Sequence, residues 1–354
     1  ATSGDTGKAA LEGFKDVDGT KICVFYPSDG VSNMQKLQMI TQEGKNVNVY
    51  GIKGNFDDCQ NSVKQTFNDS EVIEELKSRG YSMSSANSIN WGRLLPQIVY
   101  YISAYLDMLG EEQILEGEKI NFCVPTGNFG NILAGYYAKQ MGLPIDKLIC
   151  ASNSNNVLTD FFRKGEYNIK RPFIKTISPS MDILISSNLE RLLFYLSGQD
   201  DKLTAERIKG LYSEGRYNIT DEEREKAKQL FYANYSDEDD AIETIQDFFD
   251  EYSYPLDPHT GVAVSVYNKY KKDYEKSAKT VIISTASPYK FPQDVLFSIT
   301  GDYCGDSFRS AKKLYKKTAL ELPEKIMELK SKPQRFKQVI NAAEVKEAVL
   351  KFAD

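Results

Sequence analysis

The residues best suited to chemistry in this sequence lie in polar, glycine-containing turns. One turn, residues 125–131, follows the strand-like residues 121–124, precedes an apolar helical stretch, and contains Gly127, Asn128, Phe129, Gly130 and Asn131. Glycines permit positive φ and close backbone approach, so successive N–H groups can bind a phosphate at the carboxyl end of a parallel strand. The spacing differs from Gly-x-Gly-x-x-Gly, which excludes the dinucleotide fingerprint. A plain strand–turn–helix connection is the alternative.

A second turn lies at the start of the sequence, just ahead of a predicted helix over residues 8–15. Its members are Ser3, Gly4, Asp5, Thr6 and Gly7. The glycine spacing is too short for a nucleotide P-loop, and Ala9 stands where a magnesium-binding Ser or Thr is required. Backbone N–H groups and the positive end of the helix dipole favour a bound carboxylate or phosphate here. A capped helix start is the alternative.

A third polar group follows residues 81–86, which we predict to be a strand, and leads into a long helix predicted over residues 91–109. It combines hydrogen-bonding side chains with one cation: Asn87, Ser88, Asn90 and Arg93. The planar guanidinium of Arg93 can bind a phosphate through two parallel hydrogen bonds. A helix cap with a surface arginine is the alternative.

The remaining candidates are a hydroxyl and an imidazole. Thr285 ends a strand predicted over residues 280–284, although in isolation a strand followed by a proline-containing turn is the simpler interpretation. His259 is the single histidine of the chain, lies in a predicted helix cap, and is interpreted as a structural residue or as one that supports the site from behind the residues that touch the ligand. Because the chain has one histidine, a Ser-His-Asp hydrolase would have to use His259. A zinc site with several imidazole ligands is excluded for the same reason. The chemistry is therefore expected to come from a cofactor.

Strand-like and helical segments alternate along most of the chain, for example a strand over residues 47–52 and a helix over residues 157–164. This alternation predicts an α/β fold with parallel sheets and helices on both faces. Ligands of open α/β sheets bind outside the carboxyl ends of the strands, so the four turns are expected to share one cleft. Two anion-binding turns, an arginine and a hydroxyl suit an organic phosphate cofactor.

The chain is predicted to form two domains. Residues 1–100 are assigned to a smaller α/β domain and residues 101–354 to a larger one. Residues 197–253 are charge-rich and helix-forming without a convincing strand, which predicts a helical insertion. The acidic run at residues 237–240 is interpreted as a solvated helix face, with a docking site for a partner as the alternative.

Length and composition indicate an ordinary globular protein. The 354 residues suggest about two domains, and 41% apolar with 27% charged residues are typical of globular chains. A formal net charge of −6 argues against a general nucleic-acid or anionic-membrane binder. The apolar residues 98–109 are too few to span a bilayer. Five widely spaced cysteines without a Cys-x-x-Cys pattern indicate reduced thiols and a cytoplasmic location.

Together the motifs resemble one family, threonine synthase of the fungal and bacterial branch, within the fold type II, tryptophan-synthase-β-like pyridoxal-phosphate enzymes. The matching pieces occur in the family order over nearly the whole chain, at residues 1–7, 87–90, 124–131, 257–260 and 284–286. The resemblance implies two parallel-sheet, three-layer domains. It also implies a lyase that converts O-phospho-L-homoserine and water into L-threonine and phosphate, the last step of threonine biosynthesis.

The resemblance further implies a role for each motif. The phosphate of pyridoxal 5'-phosphate (PLP) would be held by Gly127, Asn128, Phe129, Gly130 and Asn131, and Thr285 would face the pyridine nitrogen. The substrate carboxylate would be received by Ser3, Gly4, Asp5 and Thr6. The substrate phosphate would be surrounded by Asn87, Ser88, Asn90 and Arg93. No metal ion is expected.

One departure from the family concerns the lysine that forms the Schiff base with the cofactor. In the family this lysine lies upstream of the Ser-Gly-Asp-Thr-Gly turn, in a Phe-Lys-Asp setting. Because the sequence begins at Ala1 without an initiating Met, we expect an N-terminal portion to be missing and these residues alone to be inactive. Phe14-Lys15-Asp16 follows the turn, so the role is not transferred to Lys15. Ser287 also differs, since many relatives have histidine there.

Two other functions stay open. A dehydratase or β-replacement enzyme would keep the fold and change the reaction, but Arg93 and the second anion site count against it. A non-catalytic relative would instead bind a ligand or use the acidic insertion to contact a partner. The resemblance to relatives with this insertion favours a monomer. The expected partner is the small-molecule substrate, and no nucleic acid or membrane is expected.

Overall fold

The computed structural model describes residues 1–87, 89–274 and 278–354. Its contacts divide the chain into two compact units: the first unit comprises Ala1–Asn87 with Ser287–Asp354, and the second unit comprises Ser88–Ala286. The sequence predicts a domain boundary near residue 100 and assigns residues 287–354 to the larger domain. That assignment is corrected here, because the chain returns at its end and adds a strand to the sheet of the first unit.

Helices and strands alternate as the α/β pattern predicts. The strands are β1 (Ile22–Pro27), β2 (Val47–Ile52), β3 (Ile120–Pro125), β4 (Ile145–Ser152), β5 (Glu166–Asn168), β6 (Arg216–Asn218), β7 (Phe231–Tyr235), β8 (Thr280–Ile282) and β9 (Val339–Ile340). The helices of the first half are α1 (Asp5–Phe14), α2 (Asn33–Ile40), α3 (Phe56–Asn68), α4 (Ser70–Ser78), α5 (Trp91–Leu94), α6 (Ile98–Gly110), α7 (Gly130–Gln140) and α8 (Val157–Lys164). Those that follow are α9 (Leu189–Leu196), α10 (Asp201–Glu214), α11 (Asp221–Leu230), α12 (Glu238–Tyr252), α13 (Pro258–Asp273), α14 (Pro292–Thr300), α15 (Ser307–Thr318), α16 (Glu324–Glu328) and α17 (Val345–Ala353).

The first unit is built on a parallel sheet whose order, in the described part of the chain, is β1-β2-β9. Phe25 of β1 stacks on Tyr50 of β2, with ring centroids 5.6 Å apart. Both rings belong to a core with Cys59 of α3 and Val345 of α17. Burial of these apolar side chains joins the end of the chain to its beginning.

The second unit contains a parallel sheet of order β7-β4-β3-β8 among the described residues. Every residue of β3 is buried, as expected for a central strand covered on both faces. Phe122 and Val124 face a core formed with α6 to α9, whereas Cys123 faces a core formed with α12 and α13. The predicted α/β class with parallel sheets and helices on both faces is therefore confirmed for this unit.

The predicted helical insertion over residues 197–253 is only partly helical. β6 pairs antiparallel with β5, and β7 pairs in parallel with β4 inside the main sheet. Phe231 and Ala233 of β7 are buried, and the Phe231 ring stacks on Phe162 at 4.9 Å. Five residues between two helices carry little periodicity, so the strand is stabilised by its neighbours in the sheet rather than by a local pattern.

Two further predictions are corrected near residue 90. Residues 81–86 form no strand in the described structure, so the polar group that follows them is not at a strand end. The predicted helix over residues 91–109 is interrupted by a 3-10 turn at Leu95–Gln97, between α5 and α6. Pro96 lies in this turn and has no N–H to donate, which accounts for the interruption.

Three features of the described residues bear on other functions. No helix among them is both long and apolar enough to cross a membrane. No group of three or more His, Cys, Asp or Glu side chains among them is placed to hold a metal ion. The cysteines found there are all free thiols.

Candidate functional site

The loop between β3 and α7, residues 126–129, is fixed at its start by Thr126. The Thr126 amide donates to the carbonyl of Ala151 at 2.8 Å, and the Thr126 hydroxyl donates to Val124 O at 2.7 Å. At the other end Phe129 adopts φ 63°, while its ring is buried against Phe162 and Phe231. The left-handed conformation was expected at the glycines, but it falls on Phe129. Packing of the buried ring offsets the cost of about 1–2 kcal/mol for that backbone conformation.

Gly127 is required for space rather than for φ. A Cβ at this position would lie 3.1 Å from Ser180 O, 3.1 Å from Ile183 Cδ1 and 3.2 Å from Met181 Cα. Such contacts are tighter than ordinary van der Waals separation, so any side chain here pushes the loop away from this neighbouring segment.

The β3–α7 loop offers backbone N–H groups that the described residues do not use. The amides of Gly127, Asn128 and Phe129 donate no hydrogen bond within the described part of the chain. The first amides of α7 lack intrahelical acceptors by geometry, and no side chain caps this helix. The hydroxyl oxygen of Ser180, next to Gly127, is also buried without a partner among the described residues. This set of donors at a helix N-terminus fits a phosphate.

A polar segment that sequence reasoning missed, residues 186–188, forms hydrogen bonds with the carbonyl oxygens of this loop. Ser186 Oγ donates to Gly127 O at 2.7 Å. Asn188 donates to Asn128 O through its amide at 3.2 Å and through Nδ2 at 2.9 Å, and Ser187 Oγ lies 3.4 Å from Asn128 Oδ1. The segment follows no strand, so the strand-end criterion did not select it. Its signal in the sequence is a run of three polar residues directly before amphipathic α9.

Asn131, the last of the predicted phosphate-loop residues, is held by α6. The Tyr101 hydroxyl lies 2.8 Å from Asn131 Oδ1 and 2.9 Å from Asn131 O. Gly135, one turn further along α7, would place a Cβ 2.5 Å from the Tyr101 ring. The close packing of Tyr101 against α7 therefore fixes the start of the helix that follows the loop.

Thr285 lies at the same edge of the sheet as the loop. β8 runs parallel to β3, and beyond its last residue the amide of Ile283 donates to Cys123 O at 2.9 Å. Thr285 is exposed two residues later, so the carboxyl ends of two neighbouring strands bring it toward residues 126–131. Ser284 also receives a hydrogen bond of 3.2 Å from the Thr260 hydroxyl, which places the start of α13 at this edge.

Asn90 and Arg93 belong to the same unit as the loop. Asn90 caps α5 by accepting from the Gly92 amide at 2.9 Å. Arg93 is half-buried, and this burial lowers the pKa of its guanidinium. The neighbouring Ile89 carbonyl accepts a hydrogen bond of 2.5 Å from Arg191, which also donates to Asn188 Oδ1. Arg191 thus links residues 87–93, predicted to surround the substrate phosphate, to residues 186–188, which hydrogen-bond to Asn128. Ser88 lies outside the described residues.

The opening turn and Asn87 belong to the first unit. Thr2 runs beside β1, donating to Phe25 O at 2.9 Å, and its hydroxyl accepts from the amides of Gly4 and Gly7 at 3.0 and 2.7 Å. Gly4 adopts φ 131°, and a Cβ at this position would lie 2.5 Å from the Gln35 side chain. Ser3 precedes it, and Thr6 lies in the first turn of α1. The amide of Asn87 donates to Ser85 Oγ at 3.2 Å.

Asp5 of this turn is already engaged by two side chains of its own unit. Its Oδ1 accepts from Lys290 Nζ at 2.9 Å and from Gln35 Nε2 at 3.0 Å. Asp5 therefore shapes the turn, and backbone amides rather than this carboxylate are the groups suited to an anionic ligand. Lys15, which follows α1, donates to Glu43 at 3.0 Å on the surface.

His259 is buried, with 2% of its surface exposed. Its Nδ1 lies 3.0 Å from Asp257 Oδ1, and its Nε2 accepts from the Ser180 amide at 3.2 Å. Both ring nitrogens are therefore used within the protein.

Comparison with known proteins identifies similar chains. The family model described as "Threonine synthase, C-terminal" matches residues 260–349. Human threonine synthase-like 1 is 44% identical over 303 residues, which are 84% of this chain and 40% of that protein. The chain therefore spans less than two thirds of the length of this relative.

Two solved structures align over almost the whole chain. The PLP-bound threonine synthase from Brucella melitensis has a TM-score of 0.80 and 38% identity, covering 99% of this chain and 69% of that one. Threonine synthase from yeast has a TM-score of 0.82 and 33% identity, covering 99% of this chain and 68% of that one.

Proposed function

Because this chain belongs to the threonine synthase family of fold type II PLP enzymes, we propose that the full-length protein converts O-phospho-L-homoserine and water into L-threonine and phosphate. In this reaction phosphate leaves the γ-carbon and water adds at the β-carbon. The proposed partner is this small-molecule substrate. A monomeric state and a cytoplasmic location stay predictions from the sequence.

The observation that carries the proposal is the donor-rich β3–α7 loop. Its carbonyl oxygens are held by Ser186 and Asn188, and the amides of residues 127–129 donate nowhere within the described part of the chain. A phosphate monoester fits this set of N–H groups at the start of α7. We assign the cofactor phosphate to Gly127, Asn128, Phe129, Gly130 and Asn131.

We assign Thr285 to the pyridine nitrogen of PLP, since it lies at the carboxyl end of the strand next to β3. When bound, PLP supplies the electron sink that stabilises negative charge at the substrate α-carbon. A neutral hydroxyl beside the ring nitrogen does not hold a proton there as a carboxylate would. Thr285 therefore moderates the electron sink.

The substrate's own anions are assigned to the other polar groups. Arg93 is a half-buried cation, and binding a phosphate dianion compensates its partial desolvation. It stabilises the charge that grows on the leaving phosphate. Asn87, Ser88 and Asn90 are proposed as its neighbours at the substrate phosphate. The turn of Ser3, Gly4, Asp5 and Thr6 is proposed to receive the substrate carboxylate.

The experiment uses the full-length protein. We expect it to bind PLP and to release phosphate from O-phospho-L-homoserine in a one-to-one ratio with L-threonine. R93M is expected to lower kcat/KM at least tenfold while PLP stays bound, because the substituted side chain cannot bind phosphate. PLP binding with turnover of other amino acids, but not of phosphohomoserine, would identify a dehydratase or β-replacement enzyme instead. Absence of PLP binding would identify a non-catalytic relative.

A further inference from the structure

Residues 176–183, the 176–183 segment, contact the β3–α7 loop at Gly127. The missing Cβ of Gly127 allows Ser180 O and Ile183 Cδ1 to come within 3.1 Å of where a side chain would begin. The position of this segment therefore sets how far the loop can move back from a bound anion.

One anchor of the segment is the carboxylate of Asp182, which is 4% exposed. Its Oδ1 accepts from Asn153 Nδ2 at 2.8 Å, Asn155 Nδ2 at 2.9 Å and Thr176 Oγ1 at 2.7 Å, and its Oδ2 accepts from the Thr176 amide at 2.9 Å. Burial raises the pKa of Asp182, although these hydrogen bonds act to lower it. Asn153 directly follows β4, so this anchor joins the segment to the carboxyl edge of the sheet.

The second anchor is His259. The Ser180 amide donates to His259 Nε2 at 3.2 Å, which requires the ring proton to be on Nδ1, facing Asp257 Oδ1 at 3.0 Å. Asp257 is 2% exposed and also caps α13 through the amides of residues 259 and 260. The Ser180 amide is partly buried, and an amide withdrawn from water without an acceptor is costly, so the imidazole holds Ser180 in place. A chain of bonds thus runs from the start of α13 to the residue that contacts Gly127.

We propose that His259 is a positioning residue for cofactor binding: through Ser180 it holds the 176–183 segment against Gly127 and so fixes the phosphate-binding loop. This inference rests on the proposed function, because it takes the anion of that loop to be the phosphate of PLP. His259 itself touches neither cofactor nor substrate in this assignment.

The test compares two substitutions in the full-length protein. In His259→Gln, the side-chain oxygen reaches the place of Nε2 and can still accept from Ser180. In His259→Asn, the amide takes the place of Nδ1 and can still donate to Asp257, but nothing accepts from Ser180. We expect H259N to weaken PLP binding about tenfold and to move the 31P resonance of the bound phosphate. We expect H259Q to restore most of the affinity and the wild-type resonance.

The buried pair Arg207–Glu223 provides the matched control. Its two hydrogen bonds of 2.8 and 2.7 Å join α10 to α11, and it makes no bond to the 176–183 segment or the loop within the described part of the chain. R207Q is expected to lower thermal stability at least as much as H259N while leaving the 31P resonance in place.

The outcomes separate the inference from the function. If the wild type binds PLP and H259N and H259Q both keep its affinity and resonance, the positioning role is wrong. The same holds if H259N, H259Q and R207Q all lose PLP affinity in proportion to their loss of thermal stability. If the wild-type protein binds no PLP, the proposed function itself fails, and the inference falls with it.

Discussion

The hydroxyl of Ser186 donates a 2.7 Å hydrogen bond to the carbonyl oxygen of Gly127. Ser186 is itself fixed, because its amide donates to the Tyr167 hydroxyl at 2.7 Å and that hydroxyl donates to Leu184 O at 2.9 Å. The bond turns one carbonyl of the β3–α7 loop toward residues 186–188. The loop therefore presents N–H groups, and not carbonyl oxygens, to an anion.

Ser186→Ala removes this bond and leaves Gly127 O without its side-chain donor. Loss of one such hydrogen bond costs about 1 kcal/mol, so PLP affinity is expected to fall about five- to tenfold. Fluorescence titration of the full-length apoenzyme with PLP measures this. Ser197→Ala is the control, since its hydroxyl also donates to a carbonyl, that of Phe194 at 2.9 Å, but at the end of α9. An equal loss in both variants would contradict a specific role for Ser186.

Gly127→Ala tests the close approach of the loop and the 176–183 segment. The added methyl would lie 3.1 Å from Ser180 O and must displace either the loop or the segment. Overpacking of this kind costs about 1–3 kcal/mol, and we expect both PLP affinity and the unfolding free energy to fall. Gly110→Ala is the matched control, because a Cβ there meets nothing within 4 Å. Wild-type PLP binding by G127A would show that the loop has spare room.

Lys290→Met removes the cation that holds Asp5. The pair is about three quarters buried, and Gln35 keeps its own bond to Asp5, so an effect of about 0.5–1 kcal/mol is expected. The KM for O-phospho-L-homoserine should rise about two- to fivefold with a smaller change in kcat, and Lys290→Arg should restore part of it. Steady-state kinetics measure both constants. Lys15→Met, which breaks a surface ion pair with Glu43, serves as the control and should leave KM unchanged.

Asp294, in the first turn of α14, gives a pH-dependent prediction. Burial raises the pKa of its carboxyl group to about 6. Between the ordinary Asp value of about 4 and this value, the folded protein holds a proton that the unfolded chain has released. The contribution of this group to stability therefore falls as pH rises from about 4 to 6, and stays low above 6.

Asp294→Asn cannot ionise, so it escapes this penalty. Relative to wild type, the variant is expected to gain about 2–3 kcal/mol of unfolding free energy between pH 4 and pH 8, because the pKa of Asp294 in the folded protein lies about two pH units above its ordinary value. Urea unfolding at several pH values measures the difference. Asp18→Asn, at an exposed carboxylate, is the control for the change in net charge alone. A difference between D294N and wild type that is flat with pH would refute the prediction.

The sequence by itself determined several of the local elements and where the candidate loops lie along the chain. Strand 47–52 and helix 157–164 have the predicted bounds, because apolar periodicity and flanking turns are local properties. The loop of residues 126–131 was found for the same reason: a buried strand, two glycines and an apolar helix follow each other directly. The family resemblance depended on such short motifs in order.

The tertiary structure alone decided which distant elements meet. β7 enters the main sheet and β9 returns to the first sheet through pairings with residues far away in sequence, and no local window contains that information. The clasp of Ser186 and Asn188 on the loop arises in the same way. The positive φ of Phe129 is paid for by burial against Phe162 and Phe231. Long-range packing supplies these energies, so they appear only once the chain has folded.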